Sequence, residues 1–435
     1  MAEPLNIALA GLGTVGTGVI RLIETNAALI ARRARRPIRI VAVSARDRTK
    51  QRGVDLSSYV WEDDPTSLTR RDDVDVVVEL VGGSDGPALT LARSAIANGK
   101  ALVTANKAMI AHHGLELAAA AEAAGTGLKF EAAVAGGIPV IKGLSEGAAA
   151  NVFERVYGIL NGTCNYILST MEDTGADFAD VLADAQRLGY AEADPTFDIE
   201  GIDAAHKLSI LSSIAFGAKI DFKAVDVTGI SQIIAADIAQ ARALGYVIRL
   251  LGTAETDMSD GELRLFQRVR PHLVPIDHPL AHVDGPTNAV VAEGNFMGRL
   301  LFQGPGAGDG PTASAVVADV IDIARGERGS AFAMPVEELE SLQPANTGHR
   351  NVRAYIRFTV TDRPGVLAEI TAALRDAGVS VESLIQHGRA HEGGDVIVAM
   401  VTHEGPESAV TKAIELLKGS ENLTAPPLWM NIIGA

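Results

Sequence analysis

LNIALAGLGTVGTGVI, residues 5–20, runs as a mainly apolar segment into a glycine loop and continues as an amphipathic stretch to about Ile30. Ile38–Ser44 (IRIVAVS) follows as a β-rich run, so the GxGxxG pattern lies inside a strand–loop–helix–strand unit, the context in which it carries meaning. Gly11 permits the tight turn, Gly13 lets the backbone approach a pyrophosphate, and Gly16 allows close packing of helix on strand. The loop Gly11, Leu12, Gly13, Thr14, Val15 and Gly16 is therefore expected to bind a dinucleotide, with the Thr14 and Val15 amides facing phosphate at a helix N-terminus.

Outward from this unit the alternation continues. Asp75–Val81 (DVVVELV), a Gly82-Gly83 break, a helix ending near Asn98-Gly99, the strand Ala101–Thr104, an Ala-rich helix and the strand-like run Leu128–Val134 complete the pattern. Strands apolar throughout and alternating with helices predict a Rossmann-type, doubly wound parallel sheet over about residues 1–130.

From 131 the rhythm changes to helices near 138–148, 163–173, 177–188 and 200–217, then strand-like runs over 246–302. This reads as an α+β substrate and dimerisation domain spanning 131–304. The glycines of 304–308 precede an Ala/Val-rich helix near 312–325, expected to pack back on and complete the first domain. Residues 326–350 have the polar, turn-rich composition of a linker. Residues 351–435 read β-α-β-β-α-β, a ferredoxin-like module.

At 435 residues the chain exceeds one hydrophobic core. Its 54 acidic against 38 basic side chains, a formal charge of −16, argue against nucleic-acid or anionic-membrane partners. The basic run Arg32–Arg36 ends a helix before Pro37 and reads as a solvated terminus. Cys164 is the single cysteine, which excludes an internal disulfide and fits a reducing cytoplasm. The first residues lack a signal-peptide pattern, and no apolar run approaches the ~18 residues of a membrane span. The histidines show no metal-binding spacing.

Chemistry concentrates in three places. At the tip of the second strand Ser44 stands where NAD-preferring sheets carry an acid, and Arg46, Arg48 and Lys50 follow. These cations suit a 2′-phosphate, favouring NADP with Arg46 as its contact, while Asp47 keeps NAD use open. Thr104-Ala105-Asn106-Lys107 ends a strand at the carboxyl edge of the sheet, where ligands bind in such folds. LGYAEADPTFDIEGIDAAHK, residues 188–207, crowds Glu192, Asp194, Asp198, Glu200, Asp203 and Lys207 together. Asp203 and Lys207 share a helix face, a spacing that in isolation only stabilises the helix. The acids upstream shift the reading toward a pocket for an ammonium-bearing substrate, in which a lysine held by aspartate protonates a developing alkoxide during hydride transfer.

GLGTVGTGV, TANKAMIA, FEAAVAGGIPVIK, LNGTCNYIL, the 188–207 motif and GPGAG, in this order, resemble homoserine dehydrogenases of the long form with a C-terminal ACT domain. The resemblance implies NAD(P)-dependent interconversion of L-homoserine and L-aspartate 4-semialdehyde, in the branch toward threonine, methionine and isoleucine. It implies that Lys207 exchanges the proton at the substrate oxygen and that Lys107 lies beside substrate and nicotinamide. Asp203 would orient Lys207, and Glu192 would bind the substrate ammonium. Thr163, Tyr190 and Asp198 would line the pocket, and Thr104, Gly189 and Gly306 would approach the cofactor.

The resemblance further implies a monovalent-cation site, sodium by preference, at Glu131, Val134, Gly136 and Ile138. DRPGVLAEITAALRDAGVSV is similar to ACT domains, which implies pairing into a homodimer or homotetramer and threonine feedback near Asp362–Leu367. Ser380 departs from that pattern, as do Cys164 and Asp309 from the dehydrogenase pattern. No aspartate-kinase segment accompanies these motifs. The alternative is an amino-acid-sensing regulatory protein on the same fold that has lost turnover.

Overall fold

The computed structural model describes residues 3–258, 261–387 and 395–434. Six strands, β1 (Leu5–Ala10), β2 (Ile38–Ser44), β3 (Val60–Trp61), β4 (Val76–Glu79), β5 (Ala101–Thr104) and β6 (Leu128–Lys129), form a parallel sheet in the order β3-β2-β1-β4-β5-β6. The order reverses between β1 and β4, which opens a crevice at the carboxyl ends of these strands. Helices α1 (Thr14–Thr25), α2 (Ala27–Ala34), α3 (Pro87–Ala97) and α4 (Lys107–Ala124) accompany the sheet. Ile7, Leu9, Val76, Val77 and Val78 are fully buried, as a sheet covered on both faces requires.

Two local expectations differ. The amphipathic stretch to Ile30 is two helices broken at Asn26. The expected strand Leu128–Val134 stops at Lys129, and Glu131–Ala133 turns as a 3₁₀-helix. The Glu131 amide donates to the Asp319 carboxylate (2.8 Å), which withdraws it from strand pairing.

The second domain contains α5 (Val140–Lys142), β7 (Phe153–Ile159), α6 (Gly162–Thr174), α7 (Phe178–Leu188), α8 (Thr196–Ile199), α9 (Ile202–Phe216), β8 (Asp226–Val227), α10 (Ala235–Ala243), β9 (Tyr246–Asp257), β10 (Arg264–Pro275), β11 (Thr287–Gly294) and β12 (Gly298–Pro305). The long strands pair antiparallel in the order β12-β11-β7-β9-β10. α9 is buried along nearly its whole length. Helix α11 (Asp309–Ala324) returns to α1, so close that a Cβ on Gly18 would lie 2.8 Å from the Asp309 carbonyl oxygen.

The C-terminal part comprises β13 (Gln343–Pro344), β14 (Asn351–Thr361), α12 (Val366–Ala377), β15 (Val381–His387), β16 (Asp395–Thr402), β17 (Gly405–Pro406), α13 (Glu407–Leu416) and β18 (Leu423–Ile432). Its sheet runs β18-β14-β16-β15, the ferredoxin-like arrangement. β18 also pairs parallel with β10, joining His272 to Asn431 and Leu273 to Ile432 in register, so the two sheets are continuous. Residues 326–350, linker-like in composition, pack against the body: Phe332 is fully buried beside Phe130, and the Ala345 amide donates to the Leu265 carbonyl. No helix among the described residues is long and apolar enough to cross a membrane.

Candidate active site

Asp203 lies in the first turn of α9 and Lys207 one turn later, on a helix apolar enough to bury both. Lys207 Nζ donates to Asp203 Oδ2 (2.7 Å) and to the Leu160 carbonyl (2.7 Å). Lys107, the first residue of α4, brings its Nζ 3.0 Å from Asp203 Oδ1. The Asn106 side chain caps α4 by accepting from the Met109 amide (3.1 Å), which fixes the direction in which Lys107 leaves β5. Asp203 thus carries one lysine on each oxygen. Burial alone would raise its pKa, but the charges of Lys207 and Lys107 hold it well below the usual carboxylate range. Burial works against the Lys107 ammonium too, and the Asp203 charge overrides it, leaving the Lys107 pKa raised.

Asn161 ties a second acid to this centre. Its Nδ2 donates to Asp198 Oδ1 and to Asp203 Oδ2, 2.8 Å each, while its Oδ1 caps α6 through the Cys164 amide. Burial first, and then the Asp203 charge, raise the Asp198 pKa. The Thr163 hydroxyl lies 2.7 Å from the Tyr190 carbonyl and 3.2 Å from Asp198 Oδ2. Tyr190 rests on Tyr166 with ring centroids 4.6 Å apart.

These groups line a cleft of ≈ 1140 Å³ that also reaches Val15, Gly136, Gly189 and the 304–308 glycines. It therefore runs from the carboxyl edge of the first sheet to α9. The glycine loop sits at one end. Gly11 has φ +102°, and a Cβ there would lie 2.4 Å from the Leu80 carbonyl oxygen, whereas a Cβ on Gly13 would meet nothing within 4 Å. That open backbone, ahead of a helix with no side-chain cap and no acid in its first turn, fits a dinucleotide pyrophosphate.

Several predicted residues sit apart from the cluster. Glu192 is exposed and makes no side-chain hydrogen bond or ion pair among the described residues, though its charge reaches Lys107. Thr104 is fully buried with its hydroxyl on Glu79 (2.6 Å), so only its neighbours Ala105 and Lys107 face the cleft. The Leu12 side chain belongs to the core, leaving its backbone for the loop. Arg46 is exposed and has no partner among the described residues. Cys164 is buried, and burial pushes its thiol pKa well up, as a core residue requires.

Around the predicted cation residues the chain turns through two consecutive left-handed positions, Ala135 (φ +56°) and Gly136 (φ +54°). A Cβ on Gly136 would lie 2.4 Å from the Gly306 carbonyl, so this turn abuts the glycine-rich loop. The Val134 and Gly136 carbonyls accept no hydrogen bond among the described residues. Glu131 caps α5 instead, its carboxylate accepting from the Ile141 (2.9 Å) and Lys142 (2.8 Å) amides.

Sequence reasoning missed four residues. Arg52 donates to the Leu12 carbonyl (3.2 Å) and, with Arg48, flanks the Trp61 ring at 5.6 and 5.7 Å. Asn288 donates to the same Leu160 carbonyl that holds Lys207 (3.1 Å). Glu79 accepts from the amides of Val81 (2.7 Å) and Gly82 (3.1 Å), shaping the loop after β4. Asn161 was the most accessible of the four, since an asparagine just ahead of a helix signals a cap; the others become functional only through distant partners.

Known proteins are similar to this chain over nearly its whole length. Residues 11–131 match the NAD-binding domain of homoserine dehydrogenase, 139–321 the homoserine dehydrogenase family and 354–418 the ACT domain. A homoserine dehydrogenase of Pseudomonas aeruginosa is 43% identical, with 99% of each chain covered. The crystal structure of one from Thiobacillus denitrificans superposes with a TM-score of 0.92 at 43% identity, covering 99% of this chain and 98% of that one. A hyperthermophilic archaeal homoserine dehydrogenase in complex with NADPH is similar at 25% identity, with a TM-score of 0.62 over 74% of this chain and 97% of its own.

Proposed function

Because this chain belongs to the homoserine dehydrogenase family, NAD(P)-dependent oxidoreductases acting on a CH–OH group, we propose how its own residues interconvert L-homoserine and L-aspartate 4-semialdehyde. The observation that carries the reading is the pair of lysines on the two oxygens of buried Asp203, in a cleft that begins at the glycine loop.

In the oxidative direction Lys207, as the neutral amine, takes the proton of the substrate hydroxyl and becomes the ammonium, and in reduction that ammonium returns the proton to the oxygen. A nicotinamide cofactor in the cleft would supply the chemistry of accepting or donating the hydride. Asp203 keeps Lys207 aimed and offsets the second positive charge of Lys107, which stands beside the substrate oxygen and favours its negative charge. Asp198, Thr163 and Tyr190 line the substrate end, and Glu192 at the rim meets the substrate ammonium. Gly189 and Gly306 close on the cofactor from the substrate-domain side.

NADP is the preferred cofactor in this reading. Arg46 is free for a 2′-phosphate, whereas Asp47 Oδ1 is engaged by the Thr49 and Lys50 amides. A monovalent cation, sodium by preference, would be held by the carbonyls of Val134, Gly136 and Ile138 beside Glu131; the Val134 and Gly136 carbonyls, unpaired among the described residues, fit it, while that of Ile138 accepts from the Val140 amide. Exposed Phe296 (90%), Leu300 and Leu301 around β12 suit pairing into a homo-oligomer. Feedback by threonine near Asp362–Leu367 and residence in the cytoplasm complete the proposal.

The deciding experiment is L-homoserine-dependent reduction of NADP and NAD, followed by nicotinamide absorbance with and without added sodium. Turnover faster with NADP is the expected result. Absence of turnover with both cofactors in folded protein overturns the assignment.

A further inference from the structure

A second cavity, ≈ 570 Å³, lies where the catalytic and C-terminal sheets join and shares no lining residue with the active-site cleft. Its floor is the β10–β18 seam. His272 and Asn431 are register partners across that seam, 6% and 7% exposed, and both line the cavity.

Each of the two brings an unused polar atom. His272 shares Nδ1 with the Arg270 carbonyl (2.9 Å), which requires the proton on that nitrogen and leaves Nε2 an acceptor with no partner among the described residues. Burial pushes the imidazole pKa down to about 3, so it stays neutral. Asn431 uses its Oδ1 to accept from Arg270 (3.3 Å), and its Nδ2 donors are left over. Thr253, a third lining residue and 9% exposed, has a hydroxyl with no partner among the described residues.

Buried polar groups are normally satisfied, and Thr253 Oγ1 is an exception in a cavity that His272 and Asn431 also line with spare hydrogen-bonding capacity, a set that a polar ligand would satisfy. The walls add charge of both signs: Arg350 pairs with Glu255, and burial lowers the Arg350 pKa, so a further anion nearby would stabilise its charge.

We propose that this seam cavity binds a small L-α-amino acid, its carboxylate toward Arg350 and Asn431 Nδ2 and its ammonium toward His272 Nε2 and Thr253 Oγ1. The site is separate from the Asp362–Leu367 turn and does not require that turn to bind anything. It is also next to the catalytic support. A Cβ on Gly252, the neighbour of Thr253, would lie 2.8 Å from the Leu160 side chain and 3.4 Å from that of Leu208, the residues holding and following Lys207.

The test is calorimetric titration of the full chain with each standard L-α-amino acid, repeated on Thr253→Val, His272→Phe and Asp362→Ala. At least one amino acid is expected to bind wild type and Asp362→Ala alike, with affinity lowered about tenfold in Thr253→Val and in His272→Phe. Homoserine turnover should stay at the wild-type level in the two cavity variants. Thr253→Val, nearly isosteric, decides the matter if His272→Phe does not fold. No binding at up to about 10 mM, or equal affinity in wild type and Thr253→Val, overturns the proposal.

Discussion

Lys207 Nζ lies 2.7 Å from Asp203 Oδ2, one helical turn away and out of solvent, so this ion pair is part of the cleft wall rather than a surface contact. The pair is useful because its geometry is fixed before substrate arrives. Replacing Lys207 by Ala should lower kcat by about 100-fold or more while the fold survives. Steady-state kinetics with L-homoserine checks this, and turnover near wild type would remove Lys207 from proton transfer.

Arg46 and Arg52 should separate in cofactor kinetics. Arg46→Ala should raise KM for NADP by roughly tenfold or more and leave NAD nearly unchanged, the loss of one charge-assisted contact. Arg52→Ala should weaken both cofactors, because Arg52 braces the Leu12 carbonyl of the glycine loop. Equal losses for both cofactors in Arg46→Ala would refute the 2′-phosphate assignment.

Gly306 leaves no room for a side chain: a Cβ would lie 2.2 Å from the Asn288 amide carbon. Gly306→Ala should therefore displace the loop or Asn288 and cost about 100-fold in kcat/KM. Circular dichroism should show the fold retained. Unchanged kinetics would mean that the loop position is irrelevant to catalysis.

His206 packs beside His112, with their Nε2 atoms 3.2 Å apart, and stacks on Phe222. Burial, then the His112 charge, push the His206 pKa down from 6.5 to about 4. Since the folded value is depressed, its contribution to stability is complete above pH 6.5 and is lost as the pH falls toward 4. The unfolding midpoint should drop across that window in wild type and drop less in His206→Phe. Parallel curves for the two proteins would contradict this.

The sheet junction is pinned by Arg268 and Glu407, 3% and 5% exposed, through two 2.8 Å hydrogen bonds. Glu407→Ala leaves a buried guanidinium with only Asp226 for compensation and should cost about 3 kcal/mol, read by chemical denaturation. A change below about 0.5 kcal/mol would show the junction to be solvated.

How much of this was legible varies with the range of the interaction. The glycine loop, the apolar parallel strands and the i, i+4 pair Asp203–Lys207 follow from local periodicity, and all appear in the structure. Lys107 was identified at a strand edge, but its reach to Asp203, 96 residues later in the chain, was not readable from spacing. Asn161, Asn288 and Arg52 were overlooked for the same reason. The short β6 likewise depended on Asp319, a residue of α11 that no local pattern links to Glu131.

The sequence by itself determined the elements and their order, because the period of apolar residues and the backbone freedom of glycine act within a few residues of each other. It also determined the reaction class, through motifs whose residues are neighbours in the chain. Only the tertiary structure decided that two lysines share one carboxylate, that Thr104 turns away from the cleft and that the C-terminal sheet is continuous with the catalytic one. Those outcomes depend on burial and on contacts between distant segments, which alter charge and hydrogen bonding only once the chain has packed.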